Sequence, residues 1–165
     1  MTARRRLLTG AYAALSLTDT LAVGLGPRGR RLHTAVKPLL MPALAASLAG
    51  SRGPAVPPVL AAQGLSWAGD VALMRDDQDA RLLAGIGSFF GAHLAYVAAF
   101  RALGAGSPAG NVAGRGVLAL SAVLVPMNAM AAGRRERRLA GPVGVYGLVL
   151  IAMGATATAL PASPA

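Results

Sequence analysis

Six stretches of the chain are almost continuously apolar, and short connections rich in Gly, Pro or Arg separate them. A helix that spans a bilayer needs about 20 predominantly apolar residues, and most of the stretches approach that length. The pattern therefore predicts an all-α fold, a polytopic transmembrane bundle of about six helices. The predicted spans are residues 7–25, 36–49, 57–74, 82–103, 116–132 and 141–160. The second span is short unless it begins near Leu32.

Composition strengthens the membrane interpretation. Hydrophobic residues make up 55% of the chain, charged residues 13%, and the mean hydropathy is +0.55. Soluble domains carry about 25% charged residues, so this chain has too few to cover a surface that faces water. We interpret residues 1–165 as a single integral membrane domain and expect a multi-pass protein of the cell membrane. The absence of cysteine excludes disulfides and thiolate metal sites, and without metal-ligand or phosphate-loop spacing we expect no metal and no cofactor.

The net charge of +10 comes from arginines that cluster at residues 4–6, 28–31 and 134–138, each beside an apolar stretch. Aromatic residues, which stack on bases in nucleic-acid sites, are only 4% of the chain. We therefore expect membrane lipids as partners, and no nucleic acid. The first cluster and the apolar run after it resemble a secretory signal, but Asp19 interrupts the run, and we expect a retained first span.

At helical spacing, polar side chains fall on one side of four predicted spans. Lipid cannot satisfy such groups, so the polar sides are expected to face one another and enclose a polar cavity. The alternative, most plausible for the serines and Asn128, is a set of interhelical hydrogen bonds worth about 0.6 kcal/mol each. The polar sides consist of Tyr12, Ser16 and Asp19; Gln63, Ser66, Trp67 and Asp70; Ser88, His93 and Tyr96; and Ser121 with Asn128.

Four ionisable side chains fall within or near the spans: Asp19, Lys37, Asp70 and His93. At the centre of a spanning helix, a charged side chain costs about 2.5–3.5 kcal/mol. Asp70 is either a member of an ion pair at head-group level or part of an intramembrane site, and its position beside Ser66 and Trp67 favours the site. Two readings stay open for Lys37, which either extends to the head groups or acts in the site, and for His93, which is either a core residue or a functional one.

Small residues recur at Gly87, Gly91 and Ala95 on the fourth span. Such spacing lets helix backbones approach closely within the bundle, and it also allows a homo-oligomer.

Three sequence motifs follow one another in order and share a pattern with a known family. They are residues 36–42 (Val-Lys-Pro-Leu-Leu-Met-Pro), residues 64–74 with Ser66, Trp67 and Asp70, and residues 87–96 with Ser88, His93 and Tyr96. Residues 142–153, with Tyr146, form a weaker fourth match. From Arg31 onward the chain resembles the YhhN family of membrane proteins, which includes the animal lysoplasmalogenases. Members typically have about eight helices, so the resemblance implies a truncated or divergent member without a later second acid, unless Asp19 replaces it.

The resemblance implies an ether-bond hydrolase that cleaves the vinyl ether of a lysophospholipid, a lysoplasmalogen, to a fatty aldehyde and a glycerophospho-base. We assign Asp70 as general acid, His93 as the group that orients or activates water, and Tyr96 as a hydrogen-bonding partner of that water. The expected substrate-binding residues are Lys37, Ser66, Trp67, Ser88 and Tyr146, with Asp19 as a secondary candidate. The rival hypotheses are a transport or lipid-binding membrane protein and a catalytically inactive homologue.

Overall fold

The computed structural model describes residues 3–74 and 79–162, and in the second range it describes side chains from Arg81 onward. These ranges contain six α-helices, three short 3-10 turns and no strand, which confirms the all-α prediction. The helices are α1 (Ala3–Gly24), α2 (Arg30–Ser47), α3 (Val56–Leu73), α4 (Asp79–Ala102), α5 (Val112–Arg135) and α6 (Ala140–Ala157).

Helix α2 starts at Arg30, well before the predicted span at residue 36. Its first turns contain Arg30, Arg31 and His33, so an apolar run does not reveal where the helix starts. The turn before it is tight: Gly26 has a φ of +57°, and a Cβ on Gly29 would collide with the carbonyl of Ala22. Glycine at these two positions therefore lets α2 fold back directly onto α1.

Four of the described helices, α1, α4, α5 and α6, are long and apolar enough to cross a membrane. Helices α2 and α3 have 18 residues each and belong to the same bundle, but they do not reach that combined length and hydropathy. Arg30, Arg31 and Lys37 lower the hydropathy of α2, and Gln63 and Asp70 lower that of α3.

The helices pack in the order α1, α2, α3, α4, α6, α5, and the most extensive contact joins α3 to α4. There, a Cβ on Gly69 would lie 2.8 Å from the Phe89 ring, and one on Gly85 would lie 2.7 Å from Leu73. The two contacts run in opposite directions along α3 and α4, so the helices are antiparallel, and the glycines allow them to pack closely. The small-residue prediction is right for Gly91, which lies against Leu65, whereas Gly87 faces open space.

The alternating helix directions give the bundle two ends. What we call the acid-bearing end holds the last turns of α1, α3 and α5 and the first turns of α2, α4 and α6. The opposite end, which we call the arginine end, holds Arg4, Arg5, Arg6, Arg52, Arg101 and Arg115. Among the described residues, all acidic side chains belong to the acid-bearing half: Asp19, Asp70 and Glu136.

Candidate functional site

Lys37 of α2 and Asp70 of α3 form an ion pair, with Nζ 3.2 Å from Oδ1. The Asp70 side chain is 14% exposed and that of Lys37 is 28% exposed, so both are largely withdrawn from the surface. Lys37 thus reaches Asp70 on the neighbouring helix, and its role in a site stays a prediction. The ammonium compensates a carboxylate that would otherwise be an isolated charge within the bundle.

A second contact joins α2 to α3 immediately beside this pair. Pro42 has no backbone N–H, so the carbonyl of Pro38, four residues earlier, lacks its usual helical donor. The indole Nε1 of Trp67 donates a hydrogen bond to that carbonyl at 2.9 Å. The two prolines of α2 and Trp67 of α3 thus belong to one arrangement, which fixes the register that brings Lys37 to Asp70.

A third contact, between α1 and α2, involves a residue that sequence reasoning missed. His33 Nδ1 lies 2.8 Å from Asp19 Oδ1, and the two side chains are 29% and 13% exposed. His33 precedes the apolar run from which the second span is predicted, so that pattern does not include it. The available signal was its spacing, since His33 and Lys37 lie four residues apart and so project from the same side of the helix.

The predicted aromatic members of the site lie on α4 and α6. His93 Nδ1 hydrogen-bonds to the carbonyl of Phe89 on its own helix, and its ring meets Tyr146 edge-on with centroids 5.3 Å apart. Tyr96 stacks on Phe100 at 6.3 Å. His93 and Tyr146 are therefore neighbours, as a shared site requires, and they form a group that joins α4 to α6.

The ion pair and the aromatic group lie at different levels of the bundle. Because Gly69 meets Phe89 and Leu73 meets Gly85, Asp70 is level with residues 88 and 89 of α4. His93 lies four to five residues farther toward the arginine end, which is roughly 6–8 Å along a helix. The structure therefore does not bring His93 into direct contact with Asp70, and only a water or a substrate can connect them.

The remaining predicted residues divide between the interior and the surface. Ser66 and Gln63 are buried, and Gln63 Oε1 has no hydrogen-bond partner in the described part of the chain. Ser88 donates to the carbonyl of Leu65 at 2.7 Å, so it joins α4 to α3. Trp67 is 42% exposed, which places it at the rim.

The prediction that α5 contributes a polar side to the cavity is wrong for Asn128. This residue is exposed, and its amide donates to the carbonyl of Leu124 on the same helix at 2.8 Å. Ser121 likewise donates to Leu118 at 2.6 Å. A polar side chain that bonds to its own helix backbone can face lipid without a partner on another helix, so a polar arc need not point inward.

The model of the YhhN family matches residues 32–165. The chain belongs to the YhhN family. No curated protein and no solved structure matches it significantly. The match begins at Leu32, so Lys37, Asp70 and His33 of this YhhN protein lie inside the matched region, whereas Asp19 lies outside it. Membership agrees with an integral membrane protein of the lysoplasmalogenase type.

The arrangement offers acid–base chemistry. Across residues 3–74 and 79–162 there is no cluster of three His, Cys, Asp or Glu side chains that could hold a metal ion. What the described site contains is a carboxylate beside an ammonium, and a carboxylate beside an imidazole one helical turn away. Such groups can exchange protons with a bound molecule and with water.

Proposed function

We propose that this YhhN protein hydrolyses the vinyl ether bond of lysoplasmalogens within the membrane, with Asp70 as the general acid. The observation that carries the proposal is the partly buried Lys37–Asp70 pair between two adjacent helices of a family member. An ionisable pair within the bundle needs a structural or a chemical reason, and the family supplies a reaction that uses a proton donor.

The chemistry starts at the alkene. Protonation of the alkenyl carbon distant from the ether oxygen gives an oxocarbenium ion, and addition of water to that ion gives a hemiacetal. The hemiacetal then separates into a fatty aldehyde and the glycerol hydroxyl of the glycerophospho-base. The site therefore requires a group that gives a proton to carbon and a water held next to it.

Lys37 can form an ion pair with either of two anions. In the free protein it pairs with Asp70, and a bound lysolipid presents a phosphate at the acid-bearing end, where Arg28, Arg30 and Arg31 also lie. When the ammonium turns to the phosphate, the Asp70 carboxyl loses its charged partner. Substrate binding thereby frees this carboxyl to act as the proposed acid.

The seam between α2 and α3 suits the lipid tail. Below the Trp67–Pro38 hydrogen bond, a cavity of about 220 Å³ opens between these helices, lined by Met41, Pro42, Ala45, Leu60, Gln63, Gly64 and Trp67. A chain entering sideways from the leaflet can lie there with its head group toward Lys37. The other side of the proposed site is closed by α4, with Ser88 and His93, and by α6, with Tyr146.

The test uses purified protein in detergent, with lysoplasmalogen as substrate and an ester-linked lysophospholipid as control. We expect free aldehyde from the first lipid only. Asp70→Asn should lower kcat by about 10²–10⁴-fold, the usual contribution of a general acid. Glu136→Gln is the matched control, because Glu136 is an acid of the same half that pairs with Arg138 outside the apolar helices. Equal rates for the parent and Asp70→Asn contradict the acid role.

A further inference from the structure

The Asp19–His33 contact resembles an acid–base pair more than a simple tie between two helices. The carboxylate of Asp19 meets Nδ1 of the imidazole at 2.8 Å. A neutral imidazole that donates its Nδ1–H to a carboxylate keeps the lone pair on Nε2, and the carboxylate fixes both the tautomer and the ring orientation. Nε2 of His33 has no hydrogen-bond partner among the residues that the structure describes, so it is available to a water molecule.

The location of the pair supports the same reading. His33 and Lys37 are four residues apart on α2, which places their Cβ atoms about 5–6 Å from each other. Lys37 is the partner of Asp70. His33 lies one turn closer to the acid-bearing end than Lys37, and its side chain is 29% exposed, so water can reach it.

We propose that His33 is the catalytic base that takes a proton from the attacking water, and that Asp19 is the positioning residue that holds its ring. The inference rests on the proposed hydrolysis. It replaces His93 in this role, because His93 lies deeper and its Nδ1 bonds to the carbonyl of Phe89.

Two groups complete the proton balance of the reaction. In the first step, the Asp70 carboxyl gives its proton to the alkene carbon. Water then adds to the oxocarbenium ion and transfers a proton to Nε2 of His33, which leaves a neutral hemiacetal. In the second step, the imidazolium gives its proton to the departing glycerol oxygen, and the Asp70 carboxylate accepts the proton of the hemiacetal hydroxyl as the aldehyde forms. Both side chains return to their starting states with one water consumed.

The charged surroundings of His33 are mixed. The elements packed against this part of α2 contribute Asp19 from α1, Arg28 from the connecting turn and Asp70 from α3. Helix α2 itself contributes Arg30, Arg31 and Lys37. An imidazole must be neutral to accept a proton, and a glutamine at position 33 cannot replace it as a base.

The experiment measures kcat, KM and the pH profile of lysoplasmalogen cleavage for five proteins. They are the parent, His33→Gln, Asp19→Asn, the exchange variant Asp19→His/His33→Asp, and the control Thr20→Val, whose native hydroxyl bonds only to the Ser16 carbonyl of its own helix. We expect His33→Gln to lower kcat by about 10²-fold or more. Asp19→Asn should lower kcat by about 10-fold with little change in KM. Thr20→Val should match the parent.

The exchange variant separates chemistry from architecture. It keeps a carboxylate and an imidazole in contact between α1 and α2, but the imidazole then lies on α1 instead of α2. We expect it to recover the Tm of the parent while kcat stays as low as in His33→Gln. Recovery of kcat with Tm, or a His33→Gln variant with the parent's rate and pH profile, overturns the proposal and leaves a structural contact.

The outcomes also distinguish this inference from the proposed function. If the parent releases no aldehyde, the proposed hydrolysis fails, and the role of His33 fails with it. If the parent is active and Asp70→Asn is not, while His33→Gln keeps the full rate, only the inference about His33 and Asp19 is wrong.

Discussion

The two ends of the bundle use charged side chains differently. At the acid-bearing end, charges bridge helices, as Asp19 and His33 join α1 to α2 and Lys37 and Asp70 join α2 to α3. At the arginine end, Arg101 donates to the carbonyls of Ala105 and Gly106 in the connection after its own helix. Arg115 likewise donates to Ala109. Two pairs at the acid-bearing end thus join different helices, whereas Arg101 and Arg115 at the arginine end contact the connections next to their own helices.

This difference teaches where function can reside. Local contacts with backbone carbonyls stabilise a helix end but bring no titratable groups together. Interhelical pairs oppose an acid to a base in a partly buried space, which is the condition under which protonation can respond to a ligand. Substitutions in these two interhelical pairs should therefore alter both stability and chemistry, whereas those at the arginine end should alter stability alone.

The largest effect is expected for Lys37→Met, which leaves Asp70 without its counter-ion. We expect the free energy of unfolding to fall by about 2–3 kcal/mol, less than the ~3–5 kcal/mol for a fully buried pair. The reason is the residual exposure of 28% and 14% for Lys37 and Asp70. The measurement is reversible unfolding in mixed micelles. The double variant Lys37→Met/Asp70→Asn should regain most of the stability without activity, and an equal loss in the single and double variants contradicts the pairing.

The second effect tests the arginine end. Asn111 caps α5 by accepting a hydrogen bond from Gly114 N at 2.7 Å, and its amide donates to the Thr158 carbonyl after α6 at 3.3 Å. Asn111→Ala should lower the free energy of unfolding by about 1–2 kcal/mol, with kcat and KM for lysoplasmalogen unchanged. Asn111→Asp keeps the cap acceptor and serves as control. A change in KM for Asn111→Ala means that the two ends are coupled.

A third prediction concerns the contact beside the ion pair. Trp67→Phe removes the donor to the Pro38 carbonyl and should lower the free energy of unfolding by about 1 kcal/mol. Pro42→Ala restores a backbone N–H for the same carbonyl, so the effect of Trp67→Phe should shrink in that background. A double-mutant cycle measures the difference. Strict additivity of the two substitutions is the result that rules out a shared carbonyl.

The smallest effect is expected for Arg101→Gln. Its guanidinium contacts two carbonyls at 3.2 and 3.1 Å from an exposed position. The free energy of unfolding should change by about 0.5 kcal/mol or less, and hydrolysis should not change. Thermal unfolding and the aldehyde assay check both values. A loss of activity at this site contradicts the assignment of chemistry to the opposite end.

The helices could be predicted from the sequence to a large extent, because apolar runs and Gly-Pro breaks mark them directly. The start of α2 could not, since Arg30 and Arg31 are polar although the helix continues through them. The contact of Lys37 with Asp70 could not be predicted either, since it depends on the α2–α3 register, which Trp67 and the carbonyl freed by Pro42 determine. No local pattern contains that information, because it arises from residues about 30 positions apart.

The residues of the candidate site could be predicted from the sequence better than the residues that they contact. Helical spacing placed Ser66 and Asp70 on the same side of α3, and both are withdrawn from the surface. The same reasoning failed for Asn128, because its side chain hydrogen-bonds to a backbone carbonyl in the preceding turn of its own helix. It missed His33, whose significance comes from Asp19 on another helix.

The hydrogen bond between Trp67 and α2 gives the protein an internal optical reporter. Trp67 is the single tryptophan of the chain, and its indole N–H is engaged with the Pro38 carbonyl. Indole fluorescence responds to hydrogen bonding and to the polarity around the ring. Separation of α2 from α3, as when a lipid slides between them, will shift the emission spectrum of the unlabelled protein, so the admission of a ligand can be followed in real time.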